Sequence, residues 1–128
     1  MTQVVRTGAA GFLFHATVLL CFSAASPKPF TAKDVQTLVA NVPDALLVKR
    51  RGGCLATDYS DIGGNLALVQ LRNLCPKGGS GLIGNYVVDL RSGRIWEDVD
   101  QKKEIDSRLL RKLRNQLRAE AGRSRTVK

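Results

Sequence analysis

NLALVQLRN, the stretch at residues 65–73, is the part of the sequence that decides the fold. Its residues alternate, so that Ala67, Val69 and Leu71 share one face and Gln70 lies on the other. Alternation over this length is typical of a β-strand that buries one face. The stretch therefore predicts a half-buried strand at the centre of the chain.

A second alternating stretch covers residues 82–91 and predicts another strand. Its apolar side chains on one side are Tyr86, Val88 and Leu90. Ser92 and Gly93 follow and are typical of a tight hairpin turn. Residues 94–99, which carry Ile95 and Trp96, are therefore expected to return as the next strand.

Shorter signals surround these two stretches. The apolar run at residues 45–48 favours a strand, with a helical turn as the alternative, and residues 54–59 resemble a further strand. Residues 61–64 have turn chemistry. Residues 76–81, rich in glycine, are expected to form a loop.

Helices are predicted at both ends of this strand region. Thr31 and Asp34 have the spacing of a capping box, and apolar residues at helical spacing follow, so a helix is expected over residues 32–41. Pro43 ends this helix because the residue before a proline avoids the α conformation.

The last helix is expected to begin after Asp106 or Ser107 and to reach Ala121, with Gly122 ending it. Its apolar stripe, expected to pack on the sheet near Trp96 or Tyr86, consists of Leu109, Leu110, Leu113 and Leu117. The order helix, strands, helix predicts the α+β class. We expect an antiparallel β-meander of three to five strands packed by an N-terminal and a C-terminal helix.

The N-terminus has the pattern of a secretory signal peptide. Residues 9–25 carry no charge, and the run ends in small residues at the positions that signal peptidase reads. A retained membrane helix is one alternative, and a lipoprotein modified at Cys21 is another. We expect residues 1–25 to be a cleaved signal peptide, residues 26–121 a single α+β domain and residues 122–128 a basic disordered tail. The protein would then be extracytoplasmic, either periplasmic or secreted.

Such cleavage would remove His15, the only histidine, and leave two cysteines, Cys54 and Cys75. An even pair of cysteines in an exported chain predicts a disulfide, with two free thiols as the alternative. Without histidine, the chain cannot form a Ser-His or Cys-His pair or a closed zinc shell from these cysteines. We therefore expect no enzyme activity, no metal and no cofactor.

Basic charge is concentrated at the C-terminus. The formal charge of +9 falls to only +8 on removal of residues 1–25, because Arg6 is the one charged residue lost. A surface of this sign suits a polyanion or an anionic envelope surface, and the alternative is an ordinary amphipathic helix with solvated charges. The candidate contact residues are Arg108, Arg111, Lys112, Arg114 and Arg118.

Two motifs match known ligand sites only in part. Residues 79–84 fit G-x-G-x-x-G, but strand-like residues follow where a dinucleotide site needs a helix, so no nucleotide is expected. Asp98 and Asp100 begin like a calcium loop, but Lys102 occupies the next ligand position. A solvated acidic turn is therefore expected there.

The segment NYVVDLRSGRIW, residues 85–96, resembles the closing hairpin of PepSY-type domains. Val88-Asp89, Gly93 and Ile95 occupy the matching positions of a strand, a glycine turn and a short returning strand. The resemblance implies a small extracytoplasmic α+β module that inhibits or regulates peptidases.

Together these features favour a non-enzymatic extracytoplasmic binding or regulatory module. Its partner would be an extracytoplasmic protein. The alternative is a protein that binds a polyanion or an envelope surface through residues 108–128, and a small hydrolase is a third hypothesis. Salt dependence separates the first two, because polyanion binding weakens steeply with salt.

Overall fold

The computed structural model describes residues 27–75 and 81–126. The predicted signal peptide, most of the predicted glycine loop and residues 127–128 lie outside the described residues. The elements in chain order are α1 (Ala32–Val39), α2 (Pro43–Arg50), β1 (Leu55–Gly63), β2 (Leu66–Asn73), β3 (Gly81–Asp89), β4 (Ile95–Glu97), β5 (Glu104–Ile105) and α3 (Arg108–Thr126).

The five strands form one antiparallel sheet in the order β1-β2-β3-β4-β5, so each strand pairs with its neighbour in sequence. This confirms the predicted α+β fold, a meander flanked by N-terminal and C-terminal helices. Within the described ranges, none of the three helices has the length and apolarity needed to cross a bilayer.

The core lies between the helices and one face of the sheet, which we call the inner face. The predicted alternation is confirmed, because Ala67, Val69 and Leu71 on β2 and Tyr86 and Val88 on β3 are all buried there. The helices bury the other half of this core, with Val35, Leu38, Val39, Val42, Ala45 and Leu110.

The capping box at the start of α1 is present. The backbone N–H of Asp34 donates to Thr31 Oγ1 at 3.2 Å, and the N–H of Thr31 donates to Asp34 Oδ2 at 3.0 Å. Just before it, the N–H of Phe30 donates to the carbonyl of Leu90 at 2.7 Å. The chain that enters α1 is thereby tied to the end of β3.

The predicted strand at residues 45–48 is wrong, because these residues belong to helix α2. Pro43 takes the first helical position, where its missing N–H costs nothing, and Asp44 lies in the first turn. Ala45 is fully buried and anchors the helix. A proline that ends one helix can therefore also begin the next.

The turn after β3 is longer than the predicted two-residue hairpin turn. Residues 90–94 connect the strands, closed by the bond from Asp89 N to Arg94 O at 2.9 Å and by the bond from Gly93 N to Asp89 O at 2.8 Å. Gly93 has a φ of +74°, and an added Cβ would lie 2.8 Å from Arg114 Cδ and from Phe30 Cε2. The left-handed backbone and the close approach of Arg114 on α3 therefore explain why glycine occupies this position of the turn.

The C-terminal helix differs from the prediction at its end. Ser107 caps it as expected, since the N–H of Leu110 donates to Ser107 Oγ at 3.1 Å. Gly122, however, does not end it: the helix continues to Thr126, so much of the predicted disordered tail is helical. A glycine within a helix costs only about 1 kcal/mol relative to alanine, which the surrounding turns tolerate.

The leucine stripe of α3 is only partly as predicted. Leu110 is fully buried, and Leu113 and Leu117 pack against the core at partial exposure. Leu109 is exposed, because it lies on the adjacent side of the helix. Trp96 lies on the opposite face of the sheet from α3, so the expected packing of the helix near Trp96 is wrong.

Candidate functional site

The second face of the sheet is apolar at its centre although no described helix covers it. On β2, Leu66 and Leu68 alternate with the core residues and so lie on this side. Val87 pairs with Leu68 on one side and with Trp96 on the other. We call the surface formed by Leu66, Leu68, Val87 and Trp96 the open face.

A shallow depression of about 230 Å³ lies within the open face. Its walls are formed by Leu66, Val87, Trp96 and Gln101. Gln101 comes from the segment that joins β4 to β5, and Val99 in the same segment is 96% exposed. The open face therefore offers an apolar recess bordered by one polar side chain, that of Gln101.

Arg94 holds one side of this surface in place. Its guanidinium lies 5.2 Å from the centre of the Trp96 ring and forms two hydrogen bonds with Glu104, at 2.9 and 2.7 Å. Trp96 and Glu104 are cross-strand partners, so β4 and β5 fix this arrangement. The hydrogen bonds from Arg94 hold the pKa of Glu104 below its usual range. Glu104 thus neutralises the Arg94 guanidinium, whose plane remains stacked on the Trp96 indole.

A second ion pair lies on the same side of the sheet, where Arg72 and Asp58 approach to 3.6 Å. Asp89, the cross-strand partner of Leu66, also lies on this side, and its Oδ1 accepts from the backbone N–H groups of Arg91 and Ser92. The amide oxygen Oδ1 of Asn85 is buried on this side and has no hydrogen-bond partner among the described residues. The open face therefore combines an apolar centre with a polar rim that contains two ion pairs.

A cleft of about 250 Å³ lies at the other side of the molecule, between α2 and β5. Tyr86 O–H donates to Asp44 Oδ2 at 3.5 Å on its wall. Burial, with the charges of Asp44 and Glu97, raises the pKa of Tyr86 well above its usual value, so the phenol stays protonated at neutral pH. The cleft has three further carboxylates, of which Glu104 and Asp106 bind arginines and Glu97 adds its charge near Tyr86.

No group of three or more metal-ligating side chains occurs within residues 27–75 and 81–126. Gly81 and Gly84 of the G-x-G-x-x-G segment lie on β3, with strand and not helix after them. The N–H of Lys102 donates to Asp100 Oδ1 at 3.2 Å, which makes this segment an ordinary turn.

The five basic residues predicted on α3 do not form one free surface. Arg111 and Arg114 both bind Asp106, at 2.6 and 2.9 Å. Arg114 also donates to the carbonyl of Gly93 at 3.3 Å, and its side chain is only 12% exposed. The two arginines outweigh the effect of burial on Asp106 and keep its pKa below the usual range.

Arg118 is also occupied within the molecule. It donates to the carbonyl oxygens of Arg91 and Ser92, at 2.9 and 3.3 Å, and lies 5.2 Å from the ring centre of Phe30. Arg111, Arg114 and Arg118 thus hold structural contacts. Arg108 and Lys112 are exposed and remain the members of the predicted set that face solvent.

The predicted disulfide between Cys54 and Cys75 is present, with Cα atoms 5.0 Å apart and a sequence separation of 21 residues. It links the start of β1 to the residue that follows Leu74, whose N–H donates to the carbonyl of Cys54 at 2.8 Å. The bond therefore fastens one end of the β1-β2 pair.

The sequence prediction missed the open face. The prediction offered Trp96 or Tyr86 as the neighbour of the C-terminal helix, whereas the pairing of Trp96 with Val87 turns Trp96 away from the core. The strand alternation contained the signal that was missed. Successive side chains of a strand point to opposite faces, and Ile95 pairs with Val88 on the inner face, so Trp96 must point to the open face.

Comparison with known proteins gives a single structural likeness to report. No protein-family model matches the sequence, and no curated protein matches it. A chain in the structure of a type VI secretion system effector-immunity complex from Pseudomonas protegens is similar with a TM-score of 0.49 and 20% identity, covering 76% of this chain and 81% of that chain. A likeness at that level says nothing of what the present chain binds.

Proposed function

We propose that this protein is a non-enzymatic, extracytoplasmic protein-binding module whose partner docks on the open face. One observation carries the proposal: the helices bury the inner face, while on the open face Leu66, Leu68 and Trp96 stay partly exposed around the buried Val87. A solvent-accessible apolar patch rimmed by polar residues is typical of a protein interaction site.

The composition of this surface fits a protein interface. Tryptophan and arginine are the residue types that most often dominate binding energy, and Arg94 already stacks on Trp96. The ion pairs Arg94–Glu104 and Asp58–Arg72 give the rim little net charge. The partner is therefore a protein that inserts an apolar side chain, of leucine or phenylalanine size, into the recess beside Trp96.

Two further features support the cellular setting of the proposal. The Cys54–Cys75 bond suits an oxidising, extracytoplasmic compartment. The hairpin that carries Trp96 is also the segment that resembles PepSY-type domains, which favours a peptidase as the partner. On this proposal the module regulates its partner by occupying a surface, without chemistry of its own.

The test is capture of the partner from an envelope extract with matched variants. Trp96→Ala removes the central aromatic ring, and Leu68→Ser removes an apolar side chain that is partly exposed on the same face. Leu109→Ser, an exposed leucine on α3, is the control. We expect both open-face variants to lose the partner by roughly tenfold or more, and the control to retain it. Equal capture by all three variants would refute the open face as the site.

The alternative, contact of α3 with a polyanion, rests on Arg108 and Lys112 because the other three residues are held inside the molecule. Reversing these two charges would abolish such binding and leave the open-face partner unaffected.

A further inference from the structure

Three consecutive cations end the second helix. Lys49 and Arg50 form the last turn of α2, and Arg51 follows at its C-cap. All three side chains are exposed, and none makes a hydrogen bond or an ion pair with another described residue. Unlike Arg111, Arg114 and Arg118 of α3, these charges are available to a ligand.

The backbone that carries these cations is held in place by close packing and hydrogen bonds. The N–H of Gly53 donates to the carbonyl of Val48 at 2.9 Å, and the N–H of Cys54 donates to Asn73 Oδ1 at 2.9 Å. An added Cβ at Gly53 would collide with the side chain of Val48. The end of α2, the start of β1 and the end of β2 therefore meet at the disulfide.

Exposed leucines gather at the same end of the molecule. Leu47 lies one turn before Arg51 on α2, Leu74 precedes the disulfide cysteine, and Leu82 pairs with Arg72 near the start of β3. They are 40%, 49% and 56% exposed. Three of the six large apolar side chains that the described residues expose thus lie at the end of the molecule that carries the three unpaired cations. Leu47 is on α2 itself, whereas Leu82, like its partner Arg72, is on the open-face side of the sheet.

We infer that this end, formed by Leu47, Lys49, Arg50, Arg51, Leu74 and Leu82 and here called the disulfide end, docks on an anionic lipid surface. Apolar side chains that enter the headgroup region, flanked by cations that contact lipid phosphates, are the features of proteins that lie on a membrane. Aromatic side chains that stack on nucleic-acid bases do not occur among these six.

This inference is independent of the proposed function. The recess beside Trp96 includes Leu66, which is at the opposite end of β2 from Asn73 and the disulfide. A molecule that rests on a membrane by the disulfide end therefore leaves the recess beside Trp96 accessible to a protein partner, and the two surfaces adjoin only where Leu82 pairs with Arg72.

The experiment is sedimentation with lipid vesicles, using oxidised chain from residue 26 onward, which keeps every residue of the described core and lacks the apolar run at residues 9–25. Vesicles that contain phosphatidylglycerol are compared with vesicles of phosphatidylcholine alone. We expect binding to the anionic vesicles only, weakening as salt rises. Equal binding to both kinds of vesicle, or to neither, would overturn the inference.

Matched variants test the location. The test variant is Lys49→Glu/Arg50→Glu/Arg51→Glu, and the control, Lys33→Glu/Arg108→Glu/Lys112→Glu, changes the net charge equally at exposed sites elsewhere. We expect the test variant to bind at least tenfold more weakly and the control to stay within about threefold of the parent. Equal losses would show a general charge effect and would contradict the inference.

A second pair of variants tests the apolar contribution. Leu74→Ser/Leu82→Ser should weaken vesicle binding severalfold and leave its salt dependence unchanged, whereas Leu109→Ser should have no effect. Two results would show that the surface recognises polyanions and not a bilayer. One is that the Leu74→Ser/Leu82→Ser variant binds vesicles as tightly as the parent does, and the other is that the parent binds soluble heparin as tightly as it binds the vesicles. Trp96→Ala should bind vesicles normally, so failure here is distinguishable from failure of the proposed function.

Discussion

The two faces of the sheet carry one alternating pattern but have opposite surroundings. On the inner face, Ala67 and Val69 are fully buried beneath the helices, whereas Leu66 and Leu68 on the open face stay partly exposed. An antiparallel sheet with one solvated face normally turns polar side chains to water. The fold alone therefore does not require an apolar open face. We expect substitutions on the inner face to lower stability and substitutions on the open face to lower binding.

The largest effect on stability is expected from Leu110→Ala. Leu110 is fully buried in the core, so its truncation loses burial energy and leaves a cavity, at a cost of about 2–5 kcal/mol. Leu109→Ala, one residue away and exposed, should change the free energy of unfolding by less than about 0.5 kcal/mol. Urea unfolding measures both. Equal stability of the two variants would show that α3 does not dock as described.

Reduction of the Cys54–Cys75 bond is expected to cost about 3 kcal/mol, because the loop that it closes gains freedom mainly in the unfolded chain. Thermal unfolding with and without reductant should show a melting temperature lower by several degrees. Partner binding through the open face should persist wherever the reduced protein is still folded. Two freely titrating thiols in the oxidised native protein would contradict the bond itself.

Arg114→Glu should lower the free energy of unfolding by about 1–3 kcal/mol, since it breaks charged hydrogen bonds to Asp106 and to the carbonyl of Gly93. Arg108→Glu, on the exposed side of the same helix, should be nearly neutral. Chemical denaturation of both variants checks this contrast. If Arg114→Glu is also neutral, the contact between α3 and the β3-β4 turn does not stabilise the fold.

A smaller effect is expected from acid. The pKa values of Glu104 and Asp106 lie below their usual range in the folded protein, so both carboxylates stabilise the fold above the unfolded values and lose this contribution as the pH falls through about 4 and below. The effect is modest because both groups are solvent-exposed. Melting temperatures of the parent and of Asp106→Asn, recorded from neutral to acid pH, should converge as the pH falls. Parallel curves would rule out a contribution from Asp106.

Much of the inner face could be predicted from the sequence, because alternation at Val69, Tyr86 and Val88 depends only on local polarity. Helix α2 could not, since four apolar residues at 45–48 fit a strand or a helix equally well. The decisive feature was Pro43 at the first position of the second helix, which was interpreted only as the end of the first.

The open face was harder to predict because it depends on register across a turn. The position of Trp96 follows from its pairing with Val87, and that pairing is set by a five-residue connection and not the two-residue turn that Ser92 and Gly93 suggested. The contacts that Arg111, Arg114 and Arg118 of α3 make within the molecule likewise could not be predicted from the sequence. Arg114 meets a carbonyl 21 residues away, a contact that helical periodicity alone does not reveal.

Site-specific photocrosslinking tests the central claim most directly. A photoreactive amino acid is introduced either at Leu68, on the open face, or at Lys112, on the exposed side of α3, and the protein is irradiated in its own envelope fraction. We predict that one protein crosslinks from position 68 and not from position 112, and that Trp96→Ala abolishes this crosslink. A partner that crosslinks from position 112 alone, or whose crosslink from position 68 survives Trp96→Ala unchanged, would contradict the assignment of the open face as the binding surface.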